Sequence, residues 1–294
     1  MATVFYDKAM VNVSFNGINE NILASDCTIN LSSSQQPLYS IGTKGTLGQF
    51  PTAARVGDIS FNFITSITGS YHGYQGNLIN YIASGVKHST SSQCSGVEIK
   101  CAGITGYGYL NSYSFNVGSN TVSTSSAAFT LYGSGSATPI SGFLFNNRGN
   151  TVVGVGTSSP TLATGIAHGR TSDISALKTS ITAPTDEGNI FAADYSLSMN
   201  HNPVYMVGQE FPLTSFYTTA AESVNVTEDI FNKDLKFNET AADYRLKLNG
   251  FNSAGGAGSA IMEVGISGGK VISTSASAGL DDIVRSQKTI NAAY

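Results

Sequence analysis

The chain has 294 residues, of which 41% are hydrophobic and only 12% charged, and its formal net charge is −4. A charged share of about half the usual ~25% suits a surface covered by partners better than one kept soluble by its own charge. No Lys/Arg cluster is present, which excludes a nucleic-acid reader of the kind that displaces phosphate counterions, and no run approaches the ~20 apolar residues of a membrane-spanning helix.

The opening "MATVFYDKAM" has no basic region followed by an apolar run. No secretory signal is therefore expected, and folding in a cytoplasm is; the sequons at Asn12, Asn30, Asn225 and Asn238 then reflect Ser/Thr richness alone. Period-two patterning begins with "MVNVSFNG", through Val11, Val13 and Phe15. It continues in "DISFNFIT" (Ile59, Phe61, Phe63), "YLNSYSFNV" (Tyr113, Phe115, Val117) and "NTVSTSSAAFTLYG" (Val122, Phe129, Leu131). Such alternation, punctuated by Gly and Asn, predicts half-buried antiparallel strands. One segment breaks it: Leu78, Ile79, Ile82 and Val86 fall at helical spacing and predict a short amphipathic helix over Asn77 to Val86. Weaker helical patterns lie near Ile174 and Asp282. Between Gly133 and Thr185 the chain loosens into Gly, Ser, Pro and Thr with apolar pieces such as "FLF" and "VVGV". Those pieces are too apolar for a free linker and predict an extended arm docked on a neighbouring surface.

A phrase recurs about half a chain apart: "QQPLYSIGTKG" and "HNPVYMVGQE" share Pro37 with Pro203, Tyr39 with Tyr205 and Gly42 with Gly208, an offset of 166 (203 − 37). Upstream, Ile22, Ala24 and Asp26 match Ile190, Ala192 and Asp194 at 168 (190 − 22), a change assigned to a two-residue difference in a turn. Downstream, Ala53 and Ala54 match Ala220 and Ala221; "NTVSTSSAA" matches "GKVISTSASA", Thr121 with Val271 and Ser123 with Ser273. Proline restricts the backbone, tyrosine packs a ring on a sheet and glycine permits a left-handed turn. Four blocks in one order predict a duplicated β module, whose copies take equivalent positions in a ring or stack. The division expected is a first module at residues 1–133, an arm or loop at 134–185 and a second module at 186–294.

Together "NENILASDCTINLSSSQQPLYSIGTKGTLGQFPTAARVGDISFNF" and "GYGYLNSYSFNVGSNTVSTSSAAFTLYG" resemble the β-sandwich module of tail tube proteins of tailed bacteriophages. The features that carry the likeness are "NGINENILASD", the Pro-x-Tyr-x-x-Gly turn, the apolar strand after "PTAARVG" and a closing Ser-Phe, Ser-Thr, Tyr-Gly pattern. It covers residues 10–133 well and 186–279 more loosely. The resemblance implies a mainly β fold of two tandem antiparallel β-sandwich or barrel modules, with a short helix in the first. It further implies a structural virion protein that assembles with itself into trimeric or hexameric rings stacked as a conduit for DNA ejection. Its implied neighbours are tail sheath, tape measure, and neck or baseplate proteins. DNA would pass through the lumen without specific binding, and the location would be the virion tail, assembled in the host cytoplasm. The shortened second half is a departure from a simple duplication, and leaves room for one module to build the barrel while the other decorates it. Two alternatives stay open: a neck, baseplate or tube-capping ring protein, and a surface adhesin or carbohydrate-binding module, the latter weakened by the absence of Trp.

Catalytic patterns are weak. "GISGG" (Gly265 to Gly269) fits a nucleophile motif, but that chemistry needs a strand, a sharp turn and a helix, and strand-like "KVISTS" follows. His72, His88, His168 and His201 lack the i, i+4 spacing of a helical metal site. His201 is placed in the turn of the repeated phrase with a conformational role. Asp281 and Asp282 read as a helix start. Cys27, Cys94 and Cys101 are odd in number, so they suggest small buried hydrophobes, although Cys94 and Cys101 could pair across a bend. The expectation is a non-enzymatic protein without metal or cofactor.

Overall fold

The computed structural model describes residues 11–132 apart from 23, 33, 43, 53–55, 68, 72–73, 88–95 and 102–103. It further describes 166–170, 173–177, 190–229 apart from 208–211 and 213, 241–278 apart from 252–253 and 255–256, and 285–293. In chain order the elements are β1 (Val11–Phe15), β2 (Ile18–Ile22), β3 (Ala24–Ser32), β4 (Gln35–Tyr39), β5 (Thr46–Pro51), β6 (Val56–Ile64), β7 (Gly69–Tyr71), β8 (Tyr74–Gly76) and α1 (Leu78–Lys87). There follow β9 (Val97–Cys101), β10 (Ile104–Gly118), β11 (Thr124–Tyr132), β12 (Asp173–Leu177), β13 (Ile190–Val204), β14 (Thr214–Asp229), β15 (Ala242–Phe251), β16 (Ala257–Ser277) and β17 (Arg285–Ala293). The protein is mainly β, its strands pair antiparallel throughout, and it carries one short helix among the described residues.

Local chemistry accounts for the elements. Val11 and Val13 of β1 and Ile59, Phe61 and Phe63 of β6 are buried, while their neighbours in sequence face outwards, as a two-residue period demands. Asn16 and Gly17, at φ 50° and 79°, turn β1 into β2; positive φ at both positions gives the mirror-image turn that matches strand twist. The helix starts one residue later than its pattern predicts because Asn77 caps it, its Oδ1 accepting the Asn80 N–H at 2.8 Å. The buried Glu20 carboxylate accepts the Leu78 N–H at 2.5 Å, adding negative charge at the helix's positive end.

Two expected helices are corrected. Residues 173–177, from the "ISALKTSI" stretch, form β12, an added strand hydrogen-bonded along β15 from Asp173↔Lys247 to Leu177↔Asp243. Pairing with an available sheet edge overrides a short, weak helical pattern. Asp281 and Asp282 lie outside the described residues, but Arg285, Ser286 and Gln287, which close "DDIVRSQ", open strand β17.

Thirteen strands join in one sheet, whose main path runs β12-β15-β16-β17-β14-β13-β10-β11-β6-β3. Off this path, β9 pairs with the first part of β10, and β1 bridges β9 and β2. The front and rear stretches of the chain meet directly where β10 pairs with β13, from Ser112↔Ser198 to Gly118↔Ala192. Their buried side chains form one cluster: Leu110, Tyr113 and Phe129 from the front belong with Tyr195, Leu248 and Met262 from the rear. Phe115 stacks on Tyr195 at 4.9 Å across the junction, and the Tyr113 hydroxyl donates to the Met262 sulfur at 3.2 Å. Within the stretch expected as an arm, residues 166–169 are bonded into the interior. Ala167 N donates to Thr65 O (2.9 Å) and Ala167 O accepts from Ser123 N (3.0 Å), while His168 N donates to Asn249 O (3.1 Å). These bonds satisfy backbone groups that burial would otherwise strand.

Candidate functional site

The repeated phrase builds the outer ends of two hairpins. In the first, Pro37 pairs with Gln49 and Tyr39 with Thr46 on the β4–β5 ladder, and Gly42 turns the tip at φ 93°, a value that favours glycine. In the second, Pro203 pairs with Ser215 near the end of the β13–β14 ladder and Tyr205 lies just beyond it; Gly208 lies outside the described residues. Applying the offset of 166 (203 − 37) also carries Leu38 to Val204, Ile41 to Val207 and Phe50 to Phe216, all exposed. Ile41 and Val207 are fully open to solvent at 105% and 107% relative exposure, so each tip presents an apolar side chain that makes no use of the core.

Strand order recurs as well. Reading inward from one end of the sheet gives β3-β6-β11-β10, followed at once by β13-β14-β17-β16. Bulges recur with it. The β3–β6 register shifts between Ala24 and Asp26 and the β13–β14 register between Ile190 and Ala192, again 166 apart (190 − 24). The β10–β11 register shifts between Leu110 and Ser112 and the β16–β17 register between Val271 and Ser273, 161 apart (271 − 110). A bulge is a local backbone feature that side-chain patterning alone does not force.

These registers correct the finer sequence matching. The offset of 166 holds through the start of β3, without a two-residue turn difference; Ile22 closes β2 opposite Val11, whereas Ile190 opens β13 opposite Glu228. Ser273 lies within strand β16, whereas Ser123 precedes β11 and donates to Asn116 O at 2.7 Å. The Ser/Thr alternation misled there because outward-facing hydroxyls suit any pleated strand. Ala53 and Ala54 lie outside the described residues.

The second part of β16 and the whole of β3 differ from the middle of the main path. At the middle, β10 carries β11 along one edge; on the other it carries β9 at its first part and β13 at its second, because Tyr107 pairs with both Tyr132 and Glu98, and Ser114 with both Ser126 and Ser196. β15 pairs with the first part of β16, up to Gly269, and β17 with its second part, from Lys270. Beyond Lys270, no described strand other than β17 pairs with β16, and none other than β6 pairs with β3. Ile272, the extra residue of the β16 bulge, is 53% exposed.

His201 sits at the inner junction, in strand β13 opposite Tyr217 rather than in a turn. Asn111, the extra residue of the β10 bulge, donates to Thr130 Oγ1 at 2.5 Å and accepts from His201 Nε2 at 2.5 Å; Ser215 Oγ reaches His201 Nδ1 at 3.3 Å. Rings of Tyr109, Tyr132 and Tyr217 stand 5.6, 5.9 and 6.2 Å from the imidazole. Burial holds the His201 pKa below its usual value, and burial pushes Tyr132 up to about 12. An open depression of ≈ 570 Å³ lies beside these residues, bounded in part by Asn111, Thr130 and His201.

Sequence spacing missed one pairing of chemistry. Cys27 on β3 and Cys101 on β9 place their sulfurs 3.2 Å apart, within hydrogen-bond reach; Cys94 lies outside the described residues. The hydrogen bond to Cys101, reinforced by burial, pushes the Cys27 thiol up; the same bond lowers Cys101. Ser267 of "GISGG" lies within β16, donating to Asp243 Oδ1 at 2.8 Å, so no strand-to-helix elbow exists there. His72 and His88 are outside the described residues, and His168 packs on Phe251 at 4.7 Å. Among the described residues no cluster of three or more His, Cys, Asp or Glu side chains could hold a metal, and no helix is long and apolar enough to cross a membrane. No protein-family model and no curated protein sequence matches the chain.

Proposed function

We propose that the chain is a self-assembling structural subunit of a bacteriophage tail tube, built from two copies of one β module. The observation that carries this reading is the recurrence, along one sheet, of the same four-strand order with the same two bulges. A chain that already joins one such unit to the next edge to edge has the geometry of a repeating ring, in which every edge finds a partner and none is left to aggregate. Three chains would then supply six units. The exposed apolar tips at Ile41 and Val207 suit contacts along the stack. A charged share of 12% limits the number of ions buried when subunits pack, and a net charge of −4 leaves DNA free to slide past.

Negative-stain electron microscopy of the purified chain at high concentration tests the reading. Rings or tubes are the expected outcome. A protein that remains monomeric at every concentration overturns it, and specific retention on a glycan array would favour a carbohydrate-binding module in its place. Copy number in native particles separates a tube, which repeats along a tail, from a neck, baseplate or capping ring.

A further inference from the structure

We propose that the second part of β16 pairs antiparallel with β3 of a second copy of the chain, in a register set by the inner junction: Ser273 opposite Ser32, Ser275 opposite Asn30 and Ser277 opposite Thr28. The proposal rests on the self-assembling reading above and adds to it the two edges and their alignment. Within the chain, Ser112 faces Ser198, Ser114 faces Ser196 and Asn116 faces Asp194. The bulge on β10 corresponds to that on β16 at 161 (271 − 110), which carries Ser112, Ser114 and Asn116 to Ser273, Ser275 and Ser277. The bulge on β13 corresponds to that on β3 at 166 (190 − 24), which carries Ser198, Ser196 and Asp194 to Ser32, Asn30 and Thr28.

Burial agrees with a missing neighbour. Tyr195 and Leu197, flanked by β10 and β14, are 3% and 1% exposed. The residues matching them at the offset of 166, Ile29 and Leu31, reach the same apolar core yet remain only partly buried; among the described residues β6 alone pairs with β3. At the bulge, Asn111 meets His201 inside the chain; the matching residues are Ile272, which is exposed and apolar, and Gln35. The junction keeps its two faces. Thr274 and Ala276 oppose Leu31 and Ile29 on the inner side, and hydroxyl and amide side chains oppose one another on the outer side. Cross-strand pairs of this kind, with backbone bonds along both edges, hold a sheet together. Because β6 fixes Ile29 and Leu31 toward the core, a one-residue slip would set Ser273, Ser275 and Ser277 beside them on the inner side, so the register is strongly specified.

Disulfide trapping tests it. The doubly substituted chain Asn30→Cys with Ser275→Cys, oxidised with copper phenanthroline after assembly, should lose most of its monomer band to a ladder of covalent oligomers on a non-reducing gel. The pair Ser32→Cys with Ser277→Cys, four residues out of register, and the parent chain should keep theirs. Hydrogen exchange on the unsubstituted protein gives a second reading: amides of residues 24–32 and 271–278 should gain protection only on assembly. Tubes that form without the first crosslink, or with the displaced pair trapped instead, overturn the register and leave the tube reading standing. A chain that assembles only when another protein is added, or never, overturns both.

Discussion

At single residues, two contacts join parts of the chain far apart in sequence. His201 is held by Asn111 and Ser215 under three tyrosine rings, and burial lowers its pKa from the usual 6.5, partly offset by Asp58. The unfolded chain therefore takes up the proton first as pH falls. The contribution of His201 to stability is complete above about pH 6.5 and is lost as pH drops toward the depressed folded value. Urea unfolding between pH 7.5 and 5 should show a steeper loss of stability for the parent chain than for His201→Gln. Equal slopes would remove His201 as the cause. Cys27 and Cys101 invite a second measurement. Bringing their sulfurs from 3.2 Å to a bond of ~2.05 Å needs a shift of about an ångström. Oxidised glutathione should accept the two electrons, releasing two glutathione thiols as the Cys27–Cys101 bond forms, with Cys101 as the attacking sulfur. Closing a loop of 74 residues should stabilise the fold by about 4 kcal/mol. Peptide mapping should recover the Cys27–Cys101 link in Cys94→Ser; its absence from that variant after oxidation would contradict the geometry.

At the scale of elements, the hairpin ends separate stability from assembly. Ile41 and Val207 are fully exposed and contribute nothing to the core. Ile41→Ser with Val207→Ser should therefore change unfolding free energy by no more than about 0.5 kcal/mol. If the tips meet a neighbouring ring, each loses about 1.5–3 kcal/mol of apolar burial on substitution, and tube length under the electron microscope should fall roughly tenfold while single rings persist. Unchanged tubes would show that stacking uses another surface. These elements also show where pattern reading succeeds. The alternation of Ile59, Phe61 and Phe63 identifies β6 directly because one face of that strand is buried. Residues 173–177 defeated it, because five residues carry too little periodicity to outweigh the hydrogen-bond edge that β15 offers.

At the scale of the molecule, contacts proposed between copies are backbone hydrogen bonds, hydroxyls and apolar side chains, with few ion pairs to screen. Light scattering should accordingly give assembly curves that differ by less than about threefold between 50 and 500 mM NaCl, since only exposed charge pairs respond strongly to salt. The same assemblies should leave duplex DNA unshifted in a gel, as expected of a surface with a net charge of −4 and without basic clusters. A steep salt dependence or a DNA shift would indicate an interface or lumen of different chemistry.

The β character, the helix at Leu78–Lys87 and the recurrence of Pro37, Tyr39 and Gly42 in Pro203, Tyr205 and Gly208 were legible in sequence, because burial of one strand or helix face and the demands of tight turns constrain residue type locally. Tertiary structure alone decided that β10 lies against β13, that bulges fall at Asn111 and Ile272, and that Cys27 meets Cys101. Strand neighbours are chosen by backbone hydrogen bonds, which are the same for every residue, and by packing between positions distant in the chain; neither leaves a local signature in the order of amino acids.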